Sequence, residues 1–159
     1  MARTSTKAMI ARLNGFTKRN WKDEPGDVKA LRRFKKPPMG NLPCVIYANF
    51  DTFWLGENIQ VLRLLALDGK TPVAELNRVA AALVTRHALR LGKWKMASTV
   101  RLMKEIAGYF EAGGARSHAE FVAVAEAIML AVDRINTWID AAIPWSQLDR
   151  RVKLAPPVR

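Results

Sequence analysis

Residues 117–144 read SHAEFVAVAEAIMLAVDRINTWIDAAIP, and their pattern decides the fold. Ser117 with Glu120 three residues on has the spacing of a capping box, in which a serine side chain satisfies a backbone N–H of the first helical turn. Behind it Phe121, Ala125, Ile128, Val132, Ile135, Ile139 and Ala142 keep a/d spacing for three heptads, the mark of a helix with one buried seam. Pro144 is the stop, because proline cannot continue a helix. The spacing predicts a helix from Ser117 to about Ala142, roughly 35–40 Å long.

Working back from that helix, three more core helices are expected. One runs from about Ser98 to the Gly113-Gly114 pair, with Thr99, Met103, Ile106 and Phe110 along one side. Another has the clearest start in the chain: Thr71 at the N-cap, Pro72 at the first helical position and Glu75 in the first turn. It extends to Leu91 and stops at Gly92. The earliest runs from about Thr52 to Leu67, capped by Asp51, weakened by Gly56 and closed by the turn Asp68-Gly69-Lys70. Short connections between apolar-striped helices predict an all-α fold, an antiparallel bundle of about four helices. Met39 to Asn49, with Gly40 and Pro43, reads as an extended connector in which Val45-Ile46-Tyr47 has the composition of a short strand.

The charge is distributed unevenly. The 159-residue chain carries a formal +12, yet residues 42–149 hold eleven basic and eleven acidic side chains. Residues 1–41 hold eleven Lys/Arg against three acids, and residues 150–159 hold four basic residues and no acid. The chain therefore divides into a basic arm (1–41), a neutral helix-bundle body (42–149) and a basic tail (150–159). Two cationic ends on a neutral body are suited to a polyanion. The expected nucleic-acid contacts are Arg3, Lys7, Arg12, Lys18, Arg19, Lys22, Lys29, Arg32, Arg33, Lys35, Lys36, Arg150, Arg151 and Lys153.

The arm itself reads as two helices. In the first, Met9, Leu13 and Phe16 share one stripe, a seam expected to pack on a neighbouring subunit while the cations face elsewhere. The second opens after Pro25-Gly26 with Asp27 as cap and runs from Val28 to Lys36. Lys29, Arg32, Arg33 and Lys36 lie on one face, and Pro37-Pro38 ends it.

Motifs for chemistry are sparse. His87 and His118 are far apart; His87 lies on the apolar side of its helix, as a core or boundary histidine, and His118 follows a cap and is expected to be exposed. Cys44, the one cysteine, reads as a buried structural thiol. Glu126, Asp133 and Asp140 recur every seven residues, either as a solvated stripe or as a docking stripe for a basic helix at a subunit interface. Their spacing along the axis, about 10 Å, is too wide for a shared acid–base site. Trp21 and Trp94 sit among lysines and arginines, where an indole either packs at a helix end or stacks on a base. There is no phosphate loop, HExxH, CxxC or GxSxG. The expectation is a non-enzyme with no cofactor, no metal and no small-molecule substrate.

The layout of a basic helical arm opening Met1-Ala2-Arg3-Thr4-Ser5-Thr6-Lys7, a break at Pro37-Pro38 and a neutral helical body resembles the major coat proteins of rod-shaped and filamentous archaeal viruses. The resemblance implies a body that forms the shell of a helical virion and an arm that wraps double-stranded DNA without reading its sequence. It also implies self-association into a homo- or hetero-oligomeric assembly. The basic segment Arg150-Arg151-Val152-Lys153 has no counterpart in that layout. The runner-up is a helix-turn-helix-like DNA-binding regulator opening at Thr71-Pro72, with Arg78, Arg86 and Arg90 on its long helix. Residues 1–20, acid-free and amphipathic, also fit an organelle-targeting segment or a membrane-surface helix, neither of which accounts for the basic tail. The longest apolar run, Phe121 to Val132, is broken by Glu126 and too short to span a bilayer. The expected location is the virion or, for a cellular protein, the cytoplasm or nucleoid.

Overall fold

The computed structural model describes residues 4–18, 42–93 and 96–143. These form five helices and no strand: α1 (Thr6–Thr17), α2 (Leu42–Asp68), α3 (Val73–Lys93), α4 (Ala97–Glu111) and α5 (His118–Ala142). The fold is all-α. Among these residues no helix is long and apolar enough to cross a membrane.

The axis is α5. Ser117 caps it as expected, its hydroxyl accepting from the Glu120 N–H at 3.1 Å. The Glu120 carboxylate also accepts from the Thr6 hydroxyl at 2.6 Å and the Arg116 N–H at 3.4 Å. Phe121, Ala125, Ile128, Val132, Ile135 and Ile139 are all buried, joined by Val124, Ala131 and Trp138.

The helix α2 begins far from its sequence reading. The connector expected over Met39–Asn49 is helical from Leu42, so α2 starts ten residues before Thr52 and Val45-Ile46-Tyr47 is not a strand. β-branched residues cost a helix only a few tenths of a kcal/mol each, a deficit that tertiary burial readily overrides. Ile46 and Ala48 are buried, and Asn49 donates from its amide to the Asn136 side chain of α5 at 3.0 Å. Pro43 is tolerated because the first turn has no partner for its missing N–H. Asp51 is consequently not a cap but lies within α2, where it accepts from Arg90 of α3 at 2.8 Å. Gly56, read as a weak point, is a crossing point: a Cβ there would meet Val132 of α5 at 3.4 Å. The start of α4 carries no side-chain cap; buried Met96 precedes it.

α2 runs antiparallel to α5, as Asn49–Asn136 at one end and Arg63–Glu126 at the other require. α3 folds back on α2 and α4 on α3, giving the antiparallel bundle, with α2 and α5 in extensive contact. α1 is a fifth member and runs parallel to α5. Its start meets the start of α5 through Thr6 and Glu120, and its end meets the end of α5 where Phe16 sets its edge on Trp138 at 5.7 Å. α1 also reaches α4, with the Tyr109 hydroxyl 2.7 Å from that of Thr6, and Arg12 2.9 Å from Glu105.

This corrects two expectations. Met9, Leu13 and Phe16 are not a subunit seam, because all three are buried inside the chain, Leu13 with no exposure at all. Nor is the whole of residues 1–41 an arm, since its first helix is part of the bundle.

At the turn between α4 and α5, Gly114 adopts φ +59°, in the left-handed region. Asn77 of α3 grips that turn, donating to the carbonyls of Gly113 at 2.9 Å and Ala115 at 2.8 Å and accepting from the Ala115 N–H at 3.0 Å. Any Cβ on Gly114 would collide with the Asn77 amide.

Candidate nucleic-acid interface

Of the fourteen expected contact residues, Lys7, Arg12 and Lys18 fall within the described chain. Arg3, Arg19, Lys22, Lys29, Arg32, Arg33, Lys35, Lys36, Arg150, Arg151 and Lys153 lie outside the described residues, as do Trp21, Trp94 and Trp145 and the side chain of Cys44. Lys7 on α1 and Lys18 at its C-cap are exposed, and α1 carries no acid. Arg12 is engaged by Glu105. Its ion pair is half-exposed and so contributes little to stability, but it takes this cation out of the set free to meet a phosphate.

The parallel packing of α1 and α5 brings two helix starts side by side. Between them lies an open groove of about 690 Å³ lined by Ser5, Thr6, Lys7, Arg116 and Glu120, with Ala119, Ala123 and Ile10 as its apolar floor. Both serine caps are closed, since Ser5 also accepts from the Ala8 N–H at 3.0 Å. Helix N-termini carry partial positive charge, and Lys7 and Arg116 add to it against the one carboxylate of Glu120. Arg116 was not among the expected contacts. It belongs to the neutral body in sequence, and its only signal there is its place just before the α5 cap.

The same geometry fixes where the remaining cationic segments attach. The C-terminal end of α1, the N-terminal end of α2 and the C-terminal end of α5 all lie at one end of the bundle, as Phe16–Trp138 and Asn49–Asn136 require. The described chain breaks off at Lys18, resumes at Leu42 and ends at Ile143. Residues 19–41 and 144–159, which hold eleven of the chain's basic residues, are thus tied to the bundle at this shared end.

The acidic stripe of α5 does not form one site. Glu126 accepts from Arg63 of α2 at 3.0 Å, while Asp133 and Asp140 are exposed further along the helix. On α3, Arg78 pairs with Glu75 and Arg90 with Asp51, so two of the three arginines that a recognition helix would need are engaged. His87 is buried beside Asp51, Arg86 and Arg90 in a cleft of about 270 Å³. Burial pushes its pKa down to about 4, Arg90 pushes the same way and Asp51 opposes, so the ring is neutral at pH 7. His118, expected to be exposed, is half-buried, and its Nε2 lies 2.7 Å from the Thr71 carbonyl, bridging α5 to the α2–α3 turn. The described residues hold no grouping of three His, Cys, Asp or Glu side chains placed to bind a metal.

No family model, no curated protein and no solved structure matches the chain.

Proposed function

We propose that this chain is a structural nucleic-acid-packaging protein that binds double-stranded DNA through phosphates rather than base edges, as a subunit of a larger assembly. The observation that carries the reading is the charge partition: a body of zero net charge with the surplus of +12 confined to residues 1–41 and 150–159. Lys18, Leu42 and Ile143, to which the basic segments 19–41 and 144–159 are joined, lie at one end of the bundle, which supports reading their cations as a single charge cluster. Such a cluster neutralises phosphates and releases counterions, with no sequence readout needed. Repetition in an assembly then multiplies a modest affinity per subunit. The resemblance to viral coat proteins makes a helical virion the specific setting proposed.

The test is a salt titration of binding to random and to selected duplexes. With about six to ten phosphates neutralised per subunit, log affinity falls against log salt with a slope of roughly −5 to −9, equally for all sequences. Replacing Lys29, Arg32, Arg33 and Lys36 together with Gln flattens the slope by up to about four units. A preference of about a thousandfold for one site, lost on substituting Arg86, overturns packaging in favour of a regulator.

A further inference from the structure

The cleft between α2 and α3 holds more hydrogen-bond donors than its own acceptors can use. Its space of about 270 Å³ is lined wholly by described residues, among them Asp51, Trp54 and Asn58 on α2 and Arg86, His87 and Arg90 on α3. Each guanidinium carries five N–H donors and no acceptor, and an indole carries one donor. Against them stands one carboxylate, that of Asp51, which accepts from Arg90 Nη1 at 2.8 Å. Arg86 enters no ion pair among the described residues.

A second observation points the same way. His87 is 4% exposed, and its Nε2 has no hydrogen-bond partner among the described residues. A buried polar atom without a partner is costly unless a bound group supplies one. The charges agree. Asp51 offsets Arg90 and the ring is neutral at pH 7, so Arg86 leaves the cleft with a positive surplus. Arg86 and Arg90 stand four apart on α3, about 5–6 Å at their Cβ atoms, so both forks reach one bound group. A phosphate presents three acceptor oxygens to two such forks, where a carboxylate presents two.

We infer that the α2–α3 cleft is a phosphate-binding site, with Arg86 as its principal ligand, Arg90 as a second guanidinium and His87 beside the bound group. The phosphate is either free or part of a nucleic-acid backbone. The inference does not rest on packaging, because the cleft lies in the neutral body and is probed with inorganic phosphate alone. Binding has a signature at His87. Burial holds its pKa down to about 4, with Asp51 opposing and Arg90 assisting. A bound anion favours the imidazolium, so that pKa rises, by roughly one unit for a charge within ~4–6 Å. His118, whose Nε2 lies 2.7 Å from the Thr71 carbonyl at the other end of the bundle, is the internal control.

The full chain is titrated with inorganic phosphate against chloride at equal ionic strength, and the imidazole resonances of both histidines are followed by NMR. The expected result is a saturable shift of His87 at pH 7 and a raised His87 titration midpoint, with His118 unmoved. Arg86→Gln abolishes both while leaving the helical circular dichroism and the melting temperature in chloride essentially unchanged, since Arg86 is exposed. Arg78→Gln, which removes the same charge from α3 outside the cleft, leaves the response intact. A short duplex separates the sources. A His87 shift with the duplex that Arg86→Gln removes assigns the site to backbone phosphates, and a shift with inorganic phosphate alone assigns it to a free phosphate group. A His87 signal indifferent to both, as a cleft already filled gives, overturns the inference. So does a response that survives Arg86→Gln or is shared by His118.

Discussion

The two ends of the bundle differ in what the described residues place there. At one end the starts of α1 and α5, the turn Asp68–Thr71 and the turn Gly113–Ser117 are bound together by short polar bonds: Thr6 to Glu120 and Tyr109, His118 to Thr71, Asn77 to Gly113 and Ala115. At the other end, the exit end, the described chain breaks off at Lys18 and Ile143 and resumes at Leu42; there Asn49 bonds Asn136, Arg90 bonds Asp51 and the buried histidine lies nearby. Under the proposed function, changes at the clamped end are expected to register in stability and changes beyond the exit end in binding.

The strongest way to break this contrast is truncation. Removing residues 1–18 exposes the pocket filled by Met9, Leu13 and Phe16, each contributing about 1.5–3 kcal/mol by burial, against a total stability of roughly 5–15 kcal/mol. Loss of the cooperative thermal transition is expected. Removing residues 150–159 should leave the melting temperature unchanged and weaken DNA binding. Equal effects on the melt from both truncations would erase the distinction.

Next in size, Gly114→Ala forces a left-handed residue to carry a Cβ that strikes the Asn77 amide, with an expected loss of about 2–4 kcal/mol in urea unfolding. Gly15→Ala is the control. Gly15 is exposed in α1 with open space where its Cβ would go, so helix propensity makes the change stabilising by up to about 1 kcal/mol.

The exit end is sharpened by pH. His87 has a folded pKa of about 4, below its ordinary 6.5. Between these values the unfolded chain binds the proton and the folded chain does not. Stability is therefore full above about pH 6.5 and falls as pH drops toward 4, by on the order of 2–3 kcal/mol. His87→Leu should abolish that part of the slope in melts taken across this range. The smallest effect belongs to Arg12→Ala, which breaks the half-exposed pair with Glu105 and should change stability by less than about 1 kcal/mol.

The long-range features were harder to read than the local ones. The Ser117 cap and the a/d seam of α5 are local, set by neighbours within a turn or two, and are legible in the sequence; α3 begins at Val73, one residue later than the Thr71-Pro72 reading. The start of α2 is not legible locally: Val45 and Ile46 favour strands in isolation, while the burial of Ile46 and Ala48 and the bond from Asn49 to Asn136 depend on a helix distant in sequence. The amphipathic stripe of α1 was read correctly as a docking face, but an apolar stripe does not state its partner, and α5 of the same chain was as good as a neighbour's. For the interface, charge counting located the basic segments. It missed Arg116, which joins Lys7 only through the parallel pairing of two helices far apart in sequence.

That pairing has a consequence for how the chain acquires its structure. The bonds that seat α1 link residues 103 and 114 positions apart. During synthesis α1 emerges before the helix that receives it, and at about 5–20 residues per second the wait lasts roughly 5–20 seconds. Throughout that interval its seam is open and its acid-free, cationic surface is already exposed. Docking so remote in sequence closes the largest loop in the fold and is expected to come late in folding. Leu13→Ala should then speed unfolding while leaving the folding rate nearly unchanged. The earliest helix of the bundle would be the last to settle, so the finished bundle is in effect locked by α1.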